Sequence, residues 1–224
     1  MPNVYEFKDF EGSSHRILIE LLRRFTPPGG ALLDLGASAG HLGAAVRDHF
    51  DRTIGFEYEV ACIGSLHKIF NDAAIADLET IRRLPHVDAI VLGDVLEHLR
   101  DPASLLRLVH DSLGGKGRAF ISVPNIANVT VRLGLLFGVF EYRDRGILDN
   151  THLRFYTMRT IKRQIEEAGF RILAVRGSSV PVRLIVGKWM PEPILRLGEW
   201  LLTLLTRLWK SLFAYQIIIV AAPR

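Results

Sequence analysis

In Leu32-Leu33-Asp34-Leu35-Gly36-Ala37-Ser38-Ala39-Gly40 a short apolar run carries an acid and is followed at once by small residues. A buried strand turning sharply into a helix reads this way. Gly36 permits backbone geometry that a side chain would forbid, and small neighbours let a ligand approach the main chain. A second acid, Glu57, stands 21 residues after Gly36, at the end of the apolar run Thr53-Ile54-Gly55-Phe56. A tight first strand-to-helix turn, then a carboxylate about 20 residues on to accept from ribose hydroxyls, is what a nucleotide crevice in an α/β sheet requires.

The acid inside the first motif narrows the ligand. The pattern is G-x-x-x-G, with Ser38 where a dinucleotide fingerprint has its second glycine. A carboxylate at Asp34, aimed at a helix N-terminus, would repel a diphosphate and suits a cation. S-adenosylmethionine carries a sulfonium, an ammonium and a ribose diol, and no phosphate. The competing reading is that Asp34 caps the next helix or binds backbone amides. The register of Glu57 favours the ligand.

These residues need elements to position them. Ser13-Ser14 opens a helix with Ile17, Leu18, Leu21, Leu22 and Phe25 on its apolar face, stopped by Pro27-Pro28-Gly29-Gly30. Strands are expected at Ala31–Leu35, up to Glu57, at Ala73–Ala76 before Asp77, at Val87–Leu92 before Gly93-Asp94, and at Arg118–Val123. Between them lie helices at about 39–50, with Leu42, Ala45 and Val46 inward, at 60–70, and from Asp101-Pro102 to Leu113, where Asp caps and Pro fills the first turn. A helix over 157–168, closed by Gly169, a sixth strand over 170–175 and a seventh over 213–221 complete the chain. Strands alternating with helices predict a parallel sheet with helices on both faces, in a single domain spanning 1–224. Asp34, Glu57, Asp77 and Asp94 all fall at strand carboxyl ends, where ligands bind such sheets.

In that order the chain resembles class I S-adenosylmethionine-dependent methyltransferases, whose seven-stranded Rossmann-like sheet is mostly parallel with an antiparallel last strand. Three motifs carry the resemblance: Leu32–Gly40, Ile54–Glu57, and Gly93-Asp94-Val95-Leu96-Glu97-His98-Leu99. The third is similar to the branch containing ubiquinone-biosynthesis O-methyltransferases. Val123-Pro124-Asn125, together with Leu148–Thr157, looks like bacterial methyltransferases of surface-glycan and lipid-linked sugar pathways. The resemblance implies that Asp34, Gly36, Ala37 and Gly40 face the methionine moiety and that Glu57, with Tyr58 beside it, takes the ribose. It further implies that Asp77 and Leu78 meet adenine and that Gly93 and Asp94 line the sulfonium side. For Asp77 a helix N-cap ahead of Leu78-Glu79 is an equal alternative. Ala37-Ser38-Ala39 departs from the commoner Cys-Gly-Thr-type turn but stays small.

Methyl transfer is an in-line displacement to which positioning contributes much, and a hydroxyl acceptor must also lose its proton. His98, after the fourth strand, and His152, in a polar loop within an expected active-site cap over 125–156, are the candidate catalytic bases. For His152 the alternative is a loop histidine bonded to Asp149. Arg154 and Tyr156 are candidate acceptor contacts. Asp94, Glu97 and His98 could share a divalent ion, the less favoured reading beside one in which Glu97 and His98 simply order the helix.

Composition bounds the alternatives. With 49% hydrophobic and 23% charged residues, the chain is globular. The net charge of +4 comes without a basic run interleaved with aromatics, so nucleic acid is not an expected partner. The single cysteine, Cys62, excludes an internal disulfide and reads as a small core residue in a reducing, cytoplasmic setting. Met1–Phe10 holds Glu6, Lys8 and Asp9 and no apolar signal core, and no uncharged apolar stretch reaches the ~18 residues needed to span a bilayer. Residues 191–213, set off by Pro181, Pro191 and Pro193, are expected to form one amphipathic helix inserted before the last strand. Arg196, Glu199, Thr203, Thr206, Arg207 and Lys210 form its narrow polar stripe, and nearly all the rest is apolar. A lid over the acceptor pocket, a membrane interface at the inner face, a homodimer contact and burial in the monomer all compete, with membrane and dimer favoured. The function expected is methyl transfer to a hydroxyl of a small, glycan or lipid-linked acceptor. The rivals are a catalytically silent S-adenosylmethionine-binding or partner-binding module and a nicotinamide-dependent oxidoreductase, against which the missing G-x-G-x-x-G argues.

Overall fold

The computed structural model describes residues 12–182 and 189–224; the reading of Met1–Phe10 falls outside them. Ser13 caps α1 (Ser14–Phe25), its hydroxyl accepting from the Arg16 amide at 3.3 Å, and Leu18, Leu21 and Leu22 bury one face of that helix. Then follow β1 (Ala31–Leu35), α2 (His41–Val46), β2 (Arg52–Glu57), α3 (Ile63–Ile69), β3 (Asp72–Ile75), β4 (Ala89–Gly93), α4 (Pro102–Leu113) and β5 (Arg118–Pro124). After α5 (Val129–Leu136) come α6 (Met158–Glu167), β6 (Phe170–Gly177), α7 (Glu192–Leu208), α8 (Lys210–Phe213) and β7 (Gln216–Pro223).

The strands form one sheet in the order β3-β2-β1-β4-β5-β7-β6, with β1 to β5 parallel and β7 antiparallel between β5 and β6. This is the seven-stranded methyltransferase form of the Rossmann-like fold expected from the sequence. Alternate residues of each strand feed opposite faces, as the two-residue period of a strand dictates. Leu33, Ile90, Ile121 and Ile219 pack with α4 and α6, while Leu32, Val91, Phe120 and Ile218 pack with α1. Both faces are covered, so these strands read as nearly unbroken apolar runs.

Strand order reverses between β1 and β4, which places a crevice outside their carboxyl ends. Gly36 and Gly40 shape the corner there. Gly36 has φ +75°, and a Cβ on it would come within 2.7 Å of Val95 Cγ2; Gly40 caps α2 at φ +83°, where a Cβ would meet Ile69 Cδ1 at 2.7 Å. Left-handed backbone without room for a side chain requires glycine at both.

Three boundaries differ from expectation. The helix after β1 ends at Val46, and Ala45 is only half-buried. The helix over 191–213 breaks at Trp209 (φ −137°, ψ 72°) into α7 and α8. The last strand therefore starts at Gln216, because 210–213 still form a helical turn. Among the described residues no helix is long and apolar enough to cross a membrane.

Candidate functional site

The crevice is a cavity of about 860 Å³. Asp34, Gly36, Ala37, Glu57, Tyr58, Asp77, Leu78, Gly93, Asp94 and His98 all line it. Gly40, Glu97 and His152 are not among the described lining residues. Gly40 instead lets α2 start against Ile69, Phe70 and Leu66 at the end of α3.

The glycine turn is tied to its own chain. The amides of Gly36 and Ala37 donate to the Phe56 carbonyl at 2.8 and 3.0 Å, and that of Gly40 donates to the Ala37 carbonyl at 2.8 Å. The Ser38 amide donates to Glu57 Oε2 at 2.6 Å. An anion cradle needs such amides turned toward its ligand; here four of them are engaged internally. Glu57 Oε1 also accepts from the amides of Tyr58 (2.8 Å) and Glu59 (3.0 Å). A carboxylate offers about four acceptor positions, so Glu57 clamps the turn and keeps capacity for a ligand donor.

The cavity's charge follows the same logic. Six described carboxylates line it, from Asp34, Glu57, Glu59, Asp77, Glu79 and Asp94, against a single arginine, Arg100, and no lysine. Asp34 is buried, and burial, followed by the nearby charge of Glu57, raises its carboxyl from 3.8 to about 7. A cation beside it would relieve that penalty. Asp77 Oδ1 accepts from the Glu79 amide at 2.9 Å, so the capping contact and the position on the cavity wall coexist.

Two non-glycine residues among those described have positive φ, Ser38 (48°) and Asp94 (56°), and both line this cavity. Such backbone persists where surrounding contacts over-determine it, and it clusters at working sites. Asp94 is held by Ser122, whose hydroxyl donates to Oδ1 at 2.7 Å, and by the Gln216 side-chain amide, which donates to Oδ2. Its carboxylate is thus directed to β5 and β7 rather than toward Glu97.

His98 is half-buried on the cavity wall. Its Nδ1 lies 3.4 Å from the Thr151 carbonyl and 3.3 Å from the Thr151 hydroxyl, which itself donates to Asp149 Oδ1 at 2.7 Å. A carbonyl only accepts, so Nδ1 carries the hydrogen and Nε2 keeps the lone pair. His152 stands behind this ring, with centroids 4.9 Å apart, and its own Nδ1 faces the Ile147 carbonyl at 3.2 Å. Burial first, and the charge of His98 second, hold the His152 imidazole below its usual range. Glu97 is buried nearby, and its charge adds to the burial that pushes the Tyr156 phenol up to about 12. Ligand-capable atoms of Glu97, His98 and His152 lie within 4.8 Å of one another, so His152 takes the place that the sequence reading gave to Asp94. One carboxylate and two imidazoles are a donor set that a transition-metal ion accepts.

Sequence reasoning missed Ser122, Thr151 and Gln216. The usable signal was a polar residue inside a buried apolar run: Ser122 between Ile121 and Val123, and Gln216 at the head of Ile217–Ala222.

Comparison with known proteins decides the family. The methyltransferase domain family matches residues 10–175. The chain belongs to that family. No curated protein matches this methyltransferase sequence. Among solved structures it is similar to a putative Haloferax volcanii methyltransferase in complex with the activator Trm112 (15% identity, TM-score 0.65, 93% of this chain and 88% of that one). It is similar as well to the Synechocystis magnesium protoporphyrin IX methyltransferase with bound SAH (14%, 0.63, 95% and 83%). A third similar structure is the [4+2]-cyclase SpnF (16%, 0.60, 93% and 80%). At these identities the likeness concerns the fold, and the family implies S-adenosylmethionine as the methyl donor.

Proposed function

We propose that this protein binds S-adenosylmethionine in the acid-lined crevice and transfers its methyl group to a hydroxyl of a small, glycan or lipid-linked acceptor. The observation that carries the reading is the pairing of a buried carboxylate, Asp34, with a glycine turn whose amides are already engaged. That site favours a cation and offers little to a diphosphate.

The crevice residues divide the work. Asp34 balances the positive charge of the methionine end. Glu57 accepts from the ribose hydroxyls while holding Ser38 in its left-handed conformation. Asp77 and Leu78 take the adenine, Asp77 through the oxygen that Glu79 leaves available. Gly93 and Asp94 close the reacting side, with Ser122 and Gln216 fixing the Asp94 carboxylate. Bound there, the cofactor would supply an electrophilic methyl carbon, its sulfur–methyl bond breaking to leave a neutral thioether. His98 Nε2 receives the proton of the acceptor hydroxyl as its oxygen takes the methyl group, and Thr151 and Asp149 hold the ring in the required tautomer. His152 acts through His98 as a positioning residue: its low proton affinity keeps a second positive charge away from the base.

A thermal-shift series with S-adenosylmethionine, NADH and NADPH, followed by incorporation of labelled methyl into glycan and lipid extracts, tests this reading. We expect stabilisation by S-adenosylmethionine alone, because only a ligand of the native state raises the melting point, and label that enters an alkali-stable methyl ether. Binding without incorporation would favour the silent module. Stabilisation by a nicotinamide nucleotide instead would overturn the proposal.

A further inference from the structure

Helix α7 is mounted the wrong way round for a helix in water. Its inner face carries Leu195, buried, but also Thr206, only 3% exposed, with Glu199 and Thr203 half-buried beside it. The Thr206 hydroxyl donates to the Phe213 carbonyl at 3.4 Å, and its methyl group lies close to Gly177 of β6. The middle of the polar stripe, Glu199, Thr203 and Thr206, thus sits against or beside the protein, while Arg196 and Arg207 at its edge stay exposed. Ile194, Leu197, Trp200, Leu201, Leu204 and Leu208 face outward, Trp200 at 60% and Leu208 at 75% exposure. Ile194, Leu197, Leu201, Leu204 and Leu208 recur at steps of three and four, and Trp200 lies beside them at the edge, so they share one broad face.

A second apolar element leaves the same anchor. Asn125 and Asn128, both fully buried, donate through their side-chain amides to the carbonyls of Ser211, Phe213 and Ala214. That ties the start of α5 to the turn joining α8 to β7. Beyond this tie α5 ends in Leu136 and Phe137, which are 75% and 78% exposed. Large apolar groups standing out in water on two elements that leave the same turn mark a surface that something covers.

We propose that the outward face of α7 and the tip of α5 dock this protein on an anionic membrane surface. Three observations choose lipid. All three tryptophans of the chain, Trp189, Trp200 and Trp209, lie in or next to α7 and are exposed, and tryptophan favours the headgroup boundary. Arg207, and Arg196 in its exposed ion pair with Glu192 (3.1 Å), border the apolar face on the side of Trp200, where their stems can lie along it and the Arg207 charge can meet lipid phosphates. A coiled-coil seam for a second copy would be a narrow stripe; here Trp200 and Leu205 widen the apolar face beyond one. The docking is in the plane of the interface, and it does not rest on the cofactor reading. The Asp94–Gln216 contact, directly after α8, puts the anchor beside the reacting end of the cavity.

The test is co-sedimentation of the full chain with phosphatidylcholine vesicles, with and without phosphatidylglycerol, alongside tryptophan emission. Expected are binding to the phosphatidylglycerol vesicles that weakens with salt, and a blue shift of emission on binding. The double variants Trp200→Glu/Leu208→Glu and Leu136→Glu/Phe137→Glu should each lose about tenfold or more of that binding, with unchanged circular dichroism and melting, since these side chains stand mostly in solvent. Wild-type protein that stays in the supernatant with both vesicles overturns the proposal. So does a dimer in analytical ultracentrifugation that the α7 variant dissociates while vesicle binding is unaltered.

Discussion

The carboxyl edge of β1–β4 and the segment around α5, α7 and α8 obey opposite rules. At the first, charged and strained groups are gathered inward: Asp34 is buried, and Ser38 and Asp94 hold left-handed backbone against the cavity. At the second, Thr206, Thr203 and Glu199 are turned toward the protein and large apolar side chains outward. Burying a carboxylate and exposing tryptophan and leucine both cost folding free energy, and a cation at the first or an apolar surface at the second would relieve that cost. In our proposals the first region takes a cation and the second an apolar surface. The proposed proton-handling set, His98 held by Thr151 and Asp149, belongs to the first region, since His98 and Thr151 line its cavity.

The division predicts separable effects. His98→Ala should lower kcat by about a thousandfold, in the range of a lost general base, while the cofactor dissociation constant measured by calorimetry stays unchanged. A matching loss of affinity would move His98 to the cofactor half. Glu57→Ala should do the reverse, weakening S-adenosylmethionine by about a hundredfold, since a charged acceptor for ribose and the clamp on Ser38 go together. The pH dependence of affinity should be next in size. Below about 7 Asp34 carries a proton in the free protein, and the ligand cation must displace it, so affinity should fall by up to about tenfold per pH unit on acidification and level off above 7. The smallest effect is on stability. Because burial raises the Asp34 carboxyl above its unfolded value of 3.8, the folded state binds the proton more tightly than the unfolded one, and stability falls as pH rises from about 4 to 7. Asp34→Asn should therefore raise Tm at pH 8 by about 3 °C or more in the free protein while abolishing cofactor binding, a trade of function for stability.

How much of this could be read in the sequence differs between the same two regions. Asp34, Gly36 and Glu57 act through one turn and two adjacent parallel strands, so their relation is local and spacing reveals it. The sheet was legible for a similar reason: Ala31–Leu35, Arg52–Glu57 and Arg118–Pro124 are short apolar runs bounded by strong turn signals. Contacts closed by tertiary structure were not. Gln216 reaches Asp94 across 122 residues, and nothing near either residue announces the other. His152 was legible as a histidine near the site, but whether it lines the cavity or stands behind His98 depends on how the loop folds back over 147–153. Gly40 fits a ligand motif by spacing; its place against Ile69 and Phe70 emerges only from the packing of α3. For α7 the periodicity of Ile194–Leu208 gives an arc and no direction. Thr206 bonding to Phe213 and the break at Trp209 decide which side meets the protein.

The central claim is that a buried, partly protonated Asp34 awaits a cationic nucleoside. Calorimetric titration with S-adenosylmethionine at about pH 6, in buffers of different ionisation enthalpy, tests it most directly. The account predicts release of close to one proton per ligand bound at that pH, about none at pH 8.5, and none from Asp34→Asn at either. Tight binding with no proton release at pH 6, or binding by Asp34→Asn as strong as wild type, would contradict it.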